Sequence, residues 1–333
     1  LIDYWVIVDT GSSDATKEII REIMCGIPGE LHERNWVNFG HNRTEALNLA
    51  KNKGDYLFFI DADEVIVLDS NFFWPELNKD CFDIKVQFGG MEYSRIGLVN
   101  NALNWEWIGV LHEYVTSCEA SSRGLLEGIH YLVHTDGHRS QDPNKYEHDI
   151  ELLEKAIEQN PDNERDVFYL AQSYKDAGHY PEALEIYQMR IKMGGWEEEI
   201  YWSMLQSGIL QQKIGYQPKA FLKTFQKAYQ YRPSRLEALY QLVYYYRTQG
   251  DYLEGYKTAK LGLHTNKSED SLFVEKWIYD YGFLLEFSIC AYWTQNYTEA
   301  LLATYAILNQ SNLPESVKTC AINNLYWIKQ KLS

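Results

Sequence analysis

Apolar residues in the first 140 positions gather in short continuous runs; after Asp142-Pro143 they recur at helical spacing with almost no strand signal. The first run, Trp5-Val6-Ile7-Val8, predicts a buried strand, and it meets Asp9-Thr10-Gly11-Ser12-Ser13-Asp14 at once. This is a tight turn in which Ser13 or Asp14 can cap a helix over 15–24. A second helix is expected over about 44–51, with Asn42 and Arg43 entering at its N-terminal end. The central run, Tyr56-Leu57-Phe58-Phe59-Ile60, follows the Gly54-Asp55 turn and ends on Asp61-Ala62-Asp63-Glu64. It reads as a strand buried on both faces, the kind an α/β sheet supplies. Further strands are expected over 83–88 and 91–94, around Gly89-Gly90, and over 129–133.

Self-similarity organises the second half. Leu170, Ala171, Tyr174, Gly178, Tyr180, Ala183 and Tyr187 stand at the spacing of one helix-turn-helix repeat of about 34 residues. Gly208, Gly215 and Ala220 with Pro233 repeat it 37 residues on, and Tyr246, Gly250, Tyr252 and Gly255 follow after 35 more. Tyr292, Tyr297, Ala300 and Thr304 form a degenerate fourth copy, and 146–161 suits the second helix of a capping unit. Small residues let paired helices approach while tyrosines and leucines fill the seams, so most of the aromatic surplus is core. The region resembles tetratricopeptide repeats. Two roles follow: a groove for a protein or peptide acceptor, or a rigid buttress or dimer surface.

Composition narrows the classes. A chain of 333 residues, 45% hydrophobic and 15% aromatic, has room for two packed domains. A net charge of -16 argues against general affinity for nucleic acid or anionic membranes. Five scattered cysteines, odd in number and without a CxxC pair, fit reduced thiols and a cytoplasmic location. No apolar run approaches the ~20 residues of a transmembrane helix.

The candidate chemistry lies in the turns. Alternation would put Asp61 and Asp63 on one side if strand geometry persists through them. Two such carboxylates suit a hard divalent cation shared with a diphosphate; the alternative is a solvated acidic turn. At the start of the second helix, backbone amides and the Arg43 guanidinium can serve a phosphate or a base edge, unless Arg43 is simply paired with a carboxylate. Trp105 and Trp107 suit a sugar or acceptor site. Glu113 is the candidate general base, or else a structural or acceptor-binding carboxylate, and His112 could orient it or bind a hydroxyl. No GxGxxG or Walker glycine-lysine motif occurs.

Together, Val6 through Thr16, Asn42-Arg43 with Ala46-Leu47, and Gly54 through Glu64 resemble the family 2 glycosyltransferases of the GT-A fold over about the first 140 residues. The expected architecture is an α/β GT-A domain at 1–142, N-terminally incomplete, followed by an all-α tetratricopeptide-like repeat domain at 143–333. The resemblance implies a nucleotide-sugar donor, a UDP-sugar, held by Asp9, Thr10, Gly11, Ser12, Asn42, Arg43, Asp61 and Ala62. It implies a divalent metal, Mn²⁺ or Mg²⁺, on Asp63 and Asp61, completed by a late histidine. His134 matches that role best by position, with His138 and Asp136 as rivals and His130 behind them; Arg139 and Lys145 are placed to neutralise a leaving diphosphate. Inverting transfer to a glycan or protein acceptor is the implied reaction. Two departures are visible: Thr10 stands where many members carry a second acidic residue, and the strand and helix that usually precede the first strand are absent. The sequence therefore reads as a piece of a longer chain or a trimmed fold. A non-catalytic repeat scaffold, and a nucleotide-sugar hydrolase or pyrophosphorylase, are the rival functions.

Overall fold

The computed structural model describes residues 2–88, 91–134 and 142–333. The chain divides into two compact units, Leu1–Ser173 and Tyr174–Ser333.

In the first unit β1 (Trp5–Asp9) leads through α1 (Thr16–Ile23) to β2 (Gly29–Glu33), and the two strands pair in parallel, Trp5 opposite Gly29. The Trp5 indole lies across Gly29, where a Cβ would stand 2.2 Å from the ring, and its Nε1 donates to the Ile27 carbonyl at 2.8 Å. Next in the chain is α2 (Phe39–Leu49), followed by β3 (Tyr56–Phe58) and β4 (Glu64–Leu68). Then come β5 (Cys81–Phe88), β6 (Met91–Asn100), the small hairpin β7 (Glu106–Ile108) with β8 (Tyr114–Thr116), and β9 (Arg123–Val133). The main sheet has the order β3-β6-β5-β9-β4, antiparallel except for the parallel β5–β9 pair. Period-two alternation divides its residues between two cores. Phe82, Ile84, Val86, Leu98, Leu126, Ile129 and Tyr131 pack together on one side; Cys81 and Val99 join Leu47 of α2, Trp105 and Val115 on the other.

Two strand expectations need correction. β3 is half-buried rather than buried on both faces, because it stands at the sheet edge and, among the described residues, pairs as a strand with β6 alone. β1 is likewise half-buried except at Asp9. α2 begins five residues earlier than expected, with Asn38 capping it by accepting the His41 amide at 2.8 Å.

Two helices, α3 (Lys145–Gln159) and α4 (Glu164–Ala177), follow β9, and most of α4 lies within the first unit. The second unit runs through α5 (Tyr180–Met193), α6 (Glu197–Lys213), α7 (Pro218–Tyr231), α8 (Glu237–Thr248) and α9 (Tyr252–Lys260). After a π-helical turn at Ile278–Gly282 it continues through α10 (Phe283–Trp293), α11 (Tyr297–Leu308) and α12 (Glu315–Leu332). Consecutive helices from α5 to α12 pack side by side. The repeat turns fall at residues of positive φ: Gly178 (89°), Gly215 (84°), Gly250 (76°) and, in the degenerate copy, Gln295 (65°). At Gly208 the α6–α7 approach is so close that a Cβ would meet Phe225 at 2.4 Å.

Between α9 and α10 the chain returns to α6 and α8. Glu198 accepts the Ser271 and Leu272 amides at 2.9 and 2.7 Å, while Arg235 donates to the Leu272 and Phe273 carbonyls at 3.0 and 3.2 Å. Fully buried Arg235 also pairs with Glu237 at 2.9 Å, and the Phe273 ring stands 5.0 Å from Trp202. This stretch therefore packs back onto α6 and the start of α8. No helix among the described residues is long and apolar enough to cross a membrane. The five cysteines are free thiols.

Candidate active site

The turn after β1 is built on Asp9. Its carboxylate is buried, and Oδ1 accepts the Gly11 and Ser12 amides, both at 3.0 Å. Burial pushes this carboxyl up, but the Ser12 hydroxyl and the two amides outweigh it and hold the group below the ordinary aspartate value. Gly11 carries φ 121°, a conformation an L side chain rarely adopts, and Thr10 and Gly11 are exposed on the rim of the turn. Asp14 accepts the Thr16 amide at 3.0 Å ahead of α1.

At α2 the structure separates Asn42 from Arg43. Asn42 is buried; its Oδ1 accepts the Val37 amide at 2.9 Å and its Nδ2 donates to the Asn35 carbonyl at 3.0 Å. That side chain shapes the loop before the helix and does not join Asp61. The first amides of α2 are also engaged, Phe39 with the Val110 carbonyl at 3.3 Å and Gly40 with the Gly109 carbonyl at 3.1 Å. Gly40 is required there, since a Cβ would lie 2.4 Å from the Gly109 oxygen. The helix N-terminus thus holds a loop carbonyl pair in the place expected for phosphate.

Arg43 is the hub. Its Nη2 donates to Asp61 Oδ1 at 2.5 Å and its Nε pairs with Glu113 Oε1 at 2.6 Å, and the guanidinium lies over Trp107, 4.8 Å from the ring centroid. A planar cation with donors on two edges suits this double duty. Asp61 also faces Arg95 of β6 at 3.6 Å, and Arg95 grips both oxygens of Glu64 at 2.6 Å. Burial of Glu64 raises its carboxyl above the ordinary value, outweighing the Asp61 amide and Arg95, which lower it. Glu113, Arg43, Asp61, Arg95 and Glu64 therefore form one line of alternating charge.

The Asp-x-Asp stretch departs from the expected strand geometry. β3 ends at Phe58, and a turn closes where the Glu64 amide donates to the Asp61 carbonyl at 3.1 Å. The turn sends Asp61 toward the arginines. Asp63 sits just before β4, directly opposite His134, whose amide donates to the Asp63 carbonyl at 2.9 Å. Asp63 and His134 thus carry the backbone pairing one residue beyond the Glu64–Val133 end of the β4–β9 ladder. Ala62 is exposed at the tip.

Among the described residues no three His, Cys, Asp or Glu side chains are grouped to hold a metal ion by themselves. The donor set fits a divalent cation shared with a ligand: one carboxylate with no ion pair among the described residues and one exposed imidazole, leaving positions for phosphate and water oxygens. Asp61 is occupied by Arg43 and Arg95. Asp136, His138 and Arg139 lie outside the described residues. His130 lies within β9 opposite Val67, and Lys145 opens α3.

The two tryptophans part company. Trp107 underlies Arg43 and meets Phe59 edge-on at 5.2 Å. Trp105 is core, with its Nε1 donating to the Asn100 carbonyl at 2.9 Å, so the sugar-facing role fails for it. A groove beside Trp107 is lined by Gly40, His41, Thr44, Glu45 and Asn48.

His112 precedes Glu113 with φ 52° and its ring is stacked on Tyr169 of α4, the centroids 4.1 Å apart. Sequence reasoning missed Arg95, the bonding role of Glu64, and Arg165 and Tyr169. A cationic residue inside a β-run was the available signal for Arg95.

Residues 4–69 match the family model described as glycosyl transferase family 2. Among solved structures the chain is similar to a tetratricopeptide repeat protein from Parabacteroides merdae ATCC 43184, at 17% identity over 56% of this chain and 68% of that one, with a TM-score of 0.41. It is also similar to YrrB, a TPR protein with an unusual peptide-binding site (15% identity, 56% and 84% covered, TM-score 0.38). A third similar structure is TTC0263, a thermophilic TPR protein in Thermus thermophilus (15% identity, 55% and 92% covered, TM-score 0.37). No curated protein matches. Residues 4–69 are thus similar to family 2 glycosyl transferases, and the second unit is a run of helices packed in sequence.

Proposed function

We propose that this protein is a metal-dependent inverting glycosyltransferase that moves a sugar from a nucleoside-diphosphate donor to a glycan or protein acceptor. The observation that carries this reading is the meeting of Asp61 and Glu113 on one guanidinium, Arg43. The Asp-x-Asp end of the donor site and the candidate base are thereby neighbours.

The Asp9 turn offers its rim, Thr10 to Ser12, to the nucleoside. Asp63 and His134 would hold a Mn²⁺ or Mg²⁺ ion, which when bound supplies positive charge to the departing diphosphate. Arg43 lies within reach of the same phosphates, and a diphosphate offers it a more highly charged partner than either carboxylate. Glu113, released from Arg43, accepts the proton of the acceptor hydroxyl as that oxygen attacks the anomeric carbon. The C–O bond to the diphosphate breaks as the new glycosidic bond forms, which inverts the centre. Trp107 supplies an apolar face beside the reacting sugar.

Calorimetric titration with UDP and GDP, with Mn²⁺ and after chelation, tests the donor site, with Asp63→Ala beside the unaltered chain. Binding of one nucleotide that needs the metal and vanishes in Asp63→Ala is the expected result. Failure of both nucleotides to bind the folded chain would remove the reading in favour of a scaffold.

A further inference from the structure

Glu113 sits in a loop that its own sheet does little to fix. Gly109 carries φ 107° and His112 φ 52°, so the backbone passes twice through the left-handed region within four residues. For histidine that conformation is uncommon and costs energy, and it persists where the surroundings over-determine it. The α2 amides hold the Gly109 and Val110 carbonyls, and the surroundings of His112 come from α4. The Arg165 Nη2 donates to the His112 carbonyl at 2.7 Å. The Arg165 guanidinium lies 5.2 Å from the Tyr114 ring and 4.9 Å from the Tyr169 ring, and Tyr169 stacks on the His112 imidazole with 19° between the planes. The two residues flanking Glu113 are therefore both held by one helical turn, Arg165 to Tyr169. Arg165 itself is placed by the Asn163 cap, whose Oδ1 accepts the Arg165 and Asp166 amides at 3.2 Å.

We infer that Arg165 and Tyr169 are positioning residues that clamp the His112–Glu113 turn and so set the Glu113 carboxylate against Arg43. The inference rests on the reading of Glu113 as the base. It gives α4 a role in the transferase site that neither a peptide groove nor a passive buttress contains.

The test compares the full chain with Arg165→Ala, Arg165→Lys and Tyr169→Phe. Amide hydrogen exchange is followed over residues 109–116, together with nucleoside diphosphate release from UDP-glucose and GDP-mannose in Mn²⁺. Loss of the Arg165 bond should speed exchange in this stretch by about tenfold while the melting transition of the whole chain holds. Turnover number should fall roughly 10- to 100-fold with donor KM unchanged, the pattern of a misplaced group rather than a lost binding contact. Arg165→Lys keeps the charge without the planar fork and should behave as Arg165→Ala; Tyr169→Phe keeps the stack but loses the hydroxyl that accepts from Arg165 at 3.4 Å, and should fall between the parent and Arg165→Ala. If Arg165→Ala does not fold, Tyr169→Leu removes the stack with that hydroxyl and takes its place. Unchanged exchange over 109–116 overturns the clamp, and faster exchange with unchanged turnover overturns its positioning role. A chain in which Glu113→Gln turns over like the parent, or which turns over neither donor, sinks the reading of Glu113 instead, and the exchange result still decides the clamp.

Discussion

Asp63 and His134 stand directly opposite each other where β4 and β9 meet, the His134 amide donating to the Asp63 carbonyl at 2.9 Å. Their backbones are tied one residue beyond the Glu64–Val133 end of the β4–β9 ladder, which keeps the two residues neighbours. His134→Ala should therefore weaken Mn²⁺-dependent nucleotide binding by roughly tenfold or more, since even groups one layer behind a metal ligand are worth about 10- to 100-fold. Binding after chelation should not change. Calorimetry decides it: a His134→Ala chain with full metal dependence would leave Asp63 without its partner.

Arg95 bonds both oxygens of buried Glu64. Arg95→Met strands that carboxylate and should destabilise the first unit by about 3 kcal/mol, the usual result of removing half of a buried pair. Adding Glu64→Gln should recover most of the loss. Urea unfolding of the single and double variants measures both numbers; a double variant no better than the single would contradict the pairing as the cause.

Asp80 gives a signed pH effect. The Ser121 amide, the Ser122 hydroxyl and the Ser122 amide hold its carboxyl down at about 2. An unfolded aspartate titrates near ~3.9, so folding favours the ionised form. The contribution is present in full above that value and is lost as pH falls toward the folded one. The melting difference between the parent and Asp80→Asn should be constant from neutral pH to about pH 5 and shrink between about pH 4 and 2. A difference that grows in acid would reverse the assignment.

Two glycines of the second unit separate packing from backbone strain. Gly208→Ala drives a methyl to 2.4 Å from Phe225, whereas at Gly215, φ 84°, nothing stands within 4 Å of the new Cβ. The first should cost about 1–3 kcal/mol by overpacking and the second about 1 kcal/mol by conformation alone. Gly208→Ala combined with Phe225→Leu should restore stability; no such relief exists for Gly215→Ala. Denaturant midpoints report the contrast.

Much of this architecture was legible because it rests on composition. Tyr56 to Glu64 could be read as strand and acidic turn, and Gly178, Gly215 and Gly250 mark repeat turns because the backbone needs positive φ there. The partners were not legible. Arg95 lies 31 residues from Glu64, and nothing local tells a cation gripping a buried carboxylate from one facing solvent. Trp105 and Trp107 look equivalent at a spacing of two, yet β7 starts at Glu106, so Trp105 lies ahead of the strand and turns into the core. Asn42 reads as a ligand-facing amide beside Arg43, but the loop before α2 takes both of its polar atoms. Nor does helical periodicity disclose that residues 271–273 return to α6 and α8 with their backbone bonded to Glu198 and Arg235.

The shared guanidinium of Arg43 has a consequence of its own. A ligand that draws it toward Asp61 alters the free energy of the Glu113 side, and a ligand engaging Glu113 alters the Asp61 side through the same bond. Thermodynamic reciprocity requires the two effects to be equal. Whatever factor a donor imposes on acceptor affinity, the acceptor imposes on donor affinity, and one ternary titration run in both orders measures it.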